Sequence, residues 1–193
     1  SASAENFNGG DMQVLNNNSD SLHSFFEKNI TSRGTFDFNL TMQSKKENLF
    51  TVKGVASVFN REEKEFNFDF LGHQVSSYAE ATYLFHHKKN DLVVGSNLSI
   101  NQFSVNHSDN FTIHDYRYST IGLFALDDWR ITERFNIETG LRSDFHNVYG
   151  NFILPHVSFL FKASKEITAR LNGGLGYKVP DIFTSGETEV DLT

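Results

Sequence analysis

The chain has 193 residues, a formal net charge of −7 at neutral pH and no cysteine. The lack of cysteine excludes disulfides and thiolate-ligated metal centres, and the acidic balance argues against nucleic acid as a partner. Mean hydropathy is only −0.39, although the chain contains 20 phenylalanines. The longest nearly apolar run, residues 121–126, is far too short for a membrane-spanning helix.

Alternation of apolar and polar residues predicts an all-β chain. The alternation is strict over residues 35–43 and 135–146, and no helical period is sustained over residues 33–178. The phenylalanines at 66, 68 and 70 alternate as well, and fit either an extension of the third strand or a separate edge. The pattern predicts an antiparallel up-and-down meander of eight long strands, at residues 33–44, 49–60, 75–86, 92–103, 117–130, 135–146, 152–162 and 167–178.

The predicted connections are alternately short and long. Short polar turns are expected at residues 45–48, 87–91, 132–134 and 163–166, and longer polar loops at residues 60–74, 104–116 and 147–151. Residues 1–31 are expected to form an extracellular loop with a short piece of helix around residues 20–29. The predicted division is therefore a loop at 1–31, strands and turns at 32–180, and the start of another extracellular loop at 181–193.

Strand length favours a membrane barrel, because strands in soluble sheets average about 5–6 residues and those of membrane barrels about 9–11. Charged residues on the polar side of the strands would be costly in the core of a soluble sandwich. The alternative is a self-contained soluble eight-stranded β-sandwich or lipocalin-like binding module, whose polar face is simply solvated. Aromatic residues near strand ends suit the interfacial girdles of a membrane barrel: Phe50, Trp129, Phe135, Phe145, Tyr149, Phe161 and Tyr177.

Four stretches, in order, resemble the barrel of TonB-dependent outer-membrane receptors. Residues 122–130 resemble the strand that ends in an acidic-Trp pair, and residues 140–144 the Gly-Leu-Arg-x-Asp element of the next strand. Residues 149–158 resemble a segment where the family often has Pro-Arg, with His156 in place of the arginine. Residues 169–180 resemble the strand that leaves the membrane through a Gly-rich, aromatic-basic-x-Pro exit. The resemblance covers about residues 118–186.

The resemblance implies an arc of an approximately 22-stranded barrel in the bacterial outer membrane, which imports a scarce nutrient. A ferric siderophore is the expected cargo, with haem, cobalamin or an oligosaccharide as alternatives. The family also implies an N-terminal plug, through which the energy-transducing inner-membrane TonB complex would act. No plug motif is present, and residues 187–193 lack the usual aromatic terminal strand, so we expect an excised stretch of a larger receptor. Its partners would be outer-membrane lipid and a small nutrient, and its open edges would favour edge-to-edge self-association.

The predicted site residues are expected to bind a ligand or to line the lumen, and none is expected to be catalytic. No nucleophile triad or carboxylate pair is indicated by spacing, so no enzyme activity, cofactor or metal is expected. The histidine-containing loop at residues 104–116 is more simply a solvated loop than a metal site. The predicted ligand-facing residues are His107, Asp109, His114, Asp115, Tyr149, Tyr177 and Lys178. The predicted lumen-lining residues are Glu138, Arg142, Asp144 and Arg170, either paired in an ion-pair ladder or bonded to lumen water.

Overall fold

The fold is one antiparallel β-sheet. A computed structural model of the chain describes residues 1–11, 26–44, 47–65, 68–108 and 114–179. Within these residues, no helix has the length and apolar character needed to cross a membrane. The strands are β1 (Ala2–Gly10), β2 (Phe26–Gln43), β3 (Leu49–Glu65), β4 (Phe68–His86), β5 (Asn90–Ser108), β6 (Tyr116–Arg130), β7 (Phe135–His146), β8 (Gly150–Lys162) and β9 (Thr168–Gly174).

The strand order in the sheet is the order in the chain, β1 to β9, and every neighbouring pair is antiparallel. The predicted all-β antiparallel meander is therefore confirmed, with nine strands instead of eight. The described sheet is open, since β1 and β9 each pair with one neighbour.

The two faces of the sheet differ in chemistry from β2 to β8. One row of paired residues across the sheet begins Leu40, Val52, Ala81, and it continues through Leu123 to Ile153. We call the face that carries this row the apolar face and the opposite one the polar face. Phe36 and Ile153 on the apolar face are both 68% exposed. The structure thus leaves large hydrophobic side chains of this face uncovered.

The prediction of a loop over residues 1–31 is wrong at both ends. Ala2–Gly10 forms β1, which pairs along its whole length with β2, and Phe26 already lies in β2. The strand was missed because Glu5 and Asn6 are both polar, which breaks the alternation, whereas the backbone ladder requires no apolar side chain. Residues 26–29 of the predicted helix are strand, and the rest of that prediction lies outside the described residues.

The predicted long connection at 60–74 is strand in all of its described residues, and the one at 104–116 is strand over 104–108 and at residue 116. β3 continues to Glu65, β4 starts at Phe68 and β5 continues to Ser108. The phenylalanine alternation therefore extends β4. Polar residues are compatible with extended strands here because neighbouring strands pair their charges, as in Lys28–Glu62 and Lys64–Asp69, both with N–O distances of 3.6 Å. The last strand, β9, is shorter than predicted, because it ends at Gly174 instead of residue 178.

Candidate functional site

The most connected polar cluster lies at the centre of the polar face. Register places Lys53, Glu80 and Asn97 side by side on β3, β4 and β5. The same row continues to Gly122 on β6 and Asp144 on β7. Antiparallel pairing alone thus brings together residues from five consecutive strands, which we call the polar row.

The first half of the polar row is the ion pair between Lys53 and Glu80, to which the phenol of Tyr78 adds a hydrogen bond. The Lys53 Nζ lies 2.8 Å from the Glu80 Oε1, and the Tyr78 hydroxyl donates a hydrogen bond to the other carboxylate oxygen, Oε2. Tyr78 and Glu80 are two residues apart on β4 and therefore share a face. The carboxylate is thereby satisfied on both oxygens.

Its second half is centred on the Asp144 carboxylate, which is only 2% exposed. The Arg142 Nε donates to Asp144 Oδ1 at 2.7 Å, and the guanidinium also donates from Nη2 to Asn97 Oδ1 at 3.2 Å. A β-carbon at Gly122 would lie 2.6 Å from both Asn97 Oδ1 and Asp144 Oδ1. The glycine therefore leaves the space in which these side chains meet.

The predicted ligand-facing residue Tyr177 belongs to this cluster. Its hydroxyl donates to Asp144 Oδ2 at 2.9 Å, and its ring stacks on Phe152 with centroids 3.9 Å apart. The expectation that Tyr177 contributes to a lipid-facing girdle is wrong, because the regular alternation ends with β9 at Gly174 and the chain turns the ring toward the polar face. Lys178, next to it, is exposed.

The four predicted lumen-lining residues lie on the polar face. Arg142 and Asp144 form the ion pair described above, and Glu138 Oε1 lies 3.6 Å from the His156 Nδ1. Arg170 on β9 is exposed and forms no ion pair with another described residue. The arrangement is therefore a set of local pairs rather than a ladder that extends to Arg170.

A second cluster on the polar face is aromatic. Phe70, Phe103 and Tyr116 follow one another across β4, β5 and β6 with ring centroids 6.4 and 5.6 Å apart. Tyr116 contacts Tyr118 at 4.6 Å, and Tyr118 contacts Tyr149 at 5.8 Å. We call these five rings the aromatic row. Of these rings, the sequence indicates Phe70 as part of an alternating strand and Tyr149 as a ligand-facing residue and as part of an interfacial girdle. Because Tyr149 contacts Tyr118 on the polar face, its ring does not lie with the apolar face.

The remaining predicted loop residues do not converge in the described structure. His107 lies in β5, Asp109 lies outside the described residues, and His114 is exposed ahead of β6. Asp115 Oδ1 accepts a hydrogen bond from the backbone amide of Val105 at 2.8 Å. Among the described residues there is no group of three or more histidines and carboxylates that could hold a metal ion.

The sequence reasoning missed Lys53, Glu80 and Asn97. Alternation within β3, β4 and β5 places each of them on the polar side, which was a usable signal. Their convergence depends on the register between strands, however, and register is set by turn geometry and side-chain packing together.

A single antiparallel sheet of long strands, with an exposed apolar face and a polar, charged opposite face, has the construction of a transmembrane β-barrel wall. The family model for the TonB dependent receptor-like β-barrel matches residues 3–188, and the chain belongs to that family. Comparison with curated proteins finds no match. Membership supports a role as an outer-membrane transporter and, by family alone, a location in the bacterial outer membrane.

Proposed function

We propose that the chain forms an arc of a TonB-dependent outer-membrane transporter that imports a ferric siderophore. The observation that carries the transport role is the two-sided sheet, whose apolar face suits lipid and whose polar row suits a hydrated lumen. The choice of a siderophore over haem, cobalamin or an oligosaccharide rests on the resemblance to the family.

In this proposal the cargo binds on the polar face, at the end of the sheet that carries the aromatic row. We assign Tyr149, Tyr177 and Lys178 to the cargo, together with His107 at the end of β5 and Asp109, His114 and Asp115 from the β5–β6 connection. Glu138, Arg142, Asp144 and Arg170 line the lumen. The energy-transducing inner-membrane complex would act through a plug inside the barrel.

The alternative of a soluble eight-stranded sandwich or lipocalin-like module has no support in the described residues. Either fold would cover the apolar face with a second layer or with the opposite wall of a small closed barrel. Here Phe36, Leu141 and Leu171 of the apolar face remain 68, 56 and 72% exposed in an open nine-stranded sheet.

The cargo is tested by growth of the host after deletion of the receptor gene. Ferric siderophores, haem, cobalamin and an oligosaccharide are supplied one at a time as the only source of the nutrient. We expect the deletion to abolish growth on a ferric siderophore and plasmid-borne receptor to restore it. Loss of growth on another nutrient instead would overturn the siderophore assignment and leave the transporter assignment intact.

Two lysines provide a matched pair in the same assay. Lys178 lies beyond β9 at the aromatic end of the sheet, whereas Lys162 lies at the opposite end, in the last position of β8; both are exposed. We expect Lys178→Ala to weaken uptake and Lys162→Ala to leave it unchanged. Equal effects of both substitutions would contradict the placement of the cargo.

A further inference from the structure

The connection between β7 and β8 is a tight turn at the aromatic end of the sheet. His146 pairs with Gly150 across the turn, and Gly150 has a φ of 86°, which favours glycine. Asn147 holds one side of the turn against β6 through two hydrogen bonds to Ser119. The backbone amide of Asn147 donates to the Ser119 carbonyl at 3.0 Å, and the Asn147 Oδ1 accepts from the Ser119 backbone amide at 3.0 Å.

His146 fastens the rest of the turn through one ring nitrogen. The backbone amides of Val148 and Tyr149 both donate to the His146 Nδ1, at 3.1 and 3.2 Å. A backbone amide has a hydrogen and no lone pair to offer, so Nδ1 must be the acceptor in both bonds. The turn observed here therefore requires a histidine that is unprotonated at Nδ1.

The ring is buried among the tyrosines that this turn brings together. His146 is 7% exposed, and its centroid lies 5.3 Å from Tyr118 and 5.0 Å from Tyr149. The Tyr118 and Tyr149 hydroxyls are 3.4 Å apart. The two hydrogen bonds to His146 thus hold the part of the turn that places Tyr149 against the aromatic row.

We infer that His146 is a positioning residue, whose unprotonated Nδ1 holds the β7–β8 turn closed with Tyr149 on the aromatic row and releases it on protonation. A proton on Nδ1 would face two amide hydrogens and abolish both bonds. Asn147 does not titrate and keeps its bonds to β6, so the release is confined to residues 148 and 149. The opening and closing of the turn is independent of the proposed function, and only the role of Tyr149 in binding cargo rests on it.

Other titratable groups near the ring leave this argument in place. On β7 the Asp144 carboxylate shares the face of His146 and would favour a protonated ring, but it is already paired with Arg142 and Tyr177. Among the residues that the structure describes, the other titratable groups of the rings around His146 are phenols, which are neutral when histidine gains its proton. They are Tyr116 and Tyr118 on β6 and Tyr149 in the turn.

The test is the mobility of a spin label at Val148→Cys in the complete receptor, embedded in outer-membrane vesicles without cargo. Val148 is 59% exposed and contributes only its backbone amide to the turn, and the chain has no other cysteine. The pH is lowered from about 7.5 to about 4.5, which brackets the ordinary histidine pKa. We expect the label to become mobile, with the ratio of closed to open turn falling about tenfold per pH unit below the midpoint for one proton.

Two variants separate protonation from structure. In His146→Asn the side-chain oxygen can accept from the amides two and three residues on, as in an Asx turn, and cannot titrate. The label should then stay immobile over the whole range. In His146→Phe the ring remains but the acceptor is lost, and the label should be mobile at every pH. His156→Asn, on the same face, should respond to pH as the parent does.

A pH response that persists in His146→Asn, or no response in the parent, would overturn the inference. Because no cargo is present, a failed growth assay would not alter this result. Conversely, an immobile label would leave the transporter proposal unaffected.

Discussion

Close packing against glycine controls how the rings and charges of the polar face are arranged. A β-carbon at Gly95 would lie 2.5 Å from Cζ of Phe124 and 2.9 Å from the carbonyl oxygen of Ala81. The Phe124 ring therefore covers a bare stretch of β5, as aromatic side chains commonly do beside strand glycines. The Arg142 guanidinium lies 5.9 Å from the centroid of the Phe124 ring, and this contact links the ring to the polar row.

The substitution Gly95→Ala should lower the free energy of unfolding by about 1–3 kcal/mol, because the clash with Ala81 involves backbone and cannot be relieved by a rotamer change. Gly34→Ala is the matched control, since a β-carbon there meets nothing within 4 Å. Denaturant unfolding of the receptor in detergent micelles measures both. Gly34→Ala should not lose stability in this way, and similar losses for the two variants would mean that close packing does not decide the cost at Gly95.

The hydrogen bond from Tyr177 to Asp144 ties the segment after β9 to β7. Tyr177→Phe should cost about 2 kcal/mol of unfolding free energy, because the lost bond has a buried carboxylate as its acceptor. The stack on Phe152 is retained. Tyr83→Phe removes a longer bond from Asn48, at 3.3 Å, and should cost less. If Tyr177→Phe has the same effect in an Asp144→Asn background, the two side chains are not coupled.

At the scale of the strands, alternation predicted element type well and element ends poorly. Strands with one apolar side, such as β7 over Phe135–His146, were predicted to the residue. Strand ends that carry polar side chains on both sides, as in the last part of β3, show no alternation and were predicted as loops. Backbone hydrogen bonds continue there without an apolar signal, so a pattern of side chains cannot mark where they stop.

The same physics limits what could be predicted of the candidate site. Arg142 and Asp144 are two residues apart on one strand, and their shared face follows from alternation alone. Asn97 reaches Arg142 only through the register of three strands. Tyr177 reaches Asp144 only because alternation stops at Gly174, which no periodic pattern shows.

The assignment of faces is tested on β2 with neighbouring residues. Leu40 lies on the apolar face and is 54% exposed, whereas Asn39 lies on the polar face. Leu40→Arg should destabilise the refolded barrel by about 2–4 kcal/mol if the position is near the bilayer midplane. Asn39→Arg introduces the same side chain toward water and should cost much less. Equal costs in unfolding titrations in lipid would show that the two faces are not lipid and lumen.

At the scale of the whole sheet, the open edges predict how the chain behaves alone. β1 and β9 each pair on one side only, and the large side chains of the apolar face are exposed. Exposed ladder groups and apolar patches both drive association in water. We therefore expect oligomers by light scattering in buffer and smaller species when detergent covers the apolar face. A monodisperse monomer in buffer without detergent would contradict this expectation.

The two ends of the sheet predict its orientation in the membrane. The turns at one end, residues 44–48, 87–89, 131–134 and 163–167, are all short. The other end carries two short connections, at 66–67 and 147–149, and the two longest ones, at 11–25 and 109–115. Outer-membrane barrels have short periplasmic turns and longer extracellular loops. A bulky membrane-impermeant maleimide should therefore label Val148→Cys in intact cells and label Lys88→Cys only after permeabilisation. Both positions are exposed and these 193 residues contain no cysteine, so with any cysteine elsewhere in the receptor replaced by serine, differences in labelling report the side of the membrane. Labelling of Lys88→Cys in intact cells, with Val148→Cys protected, would reverse the orientation and move the cargo site to the short-turn end.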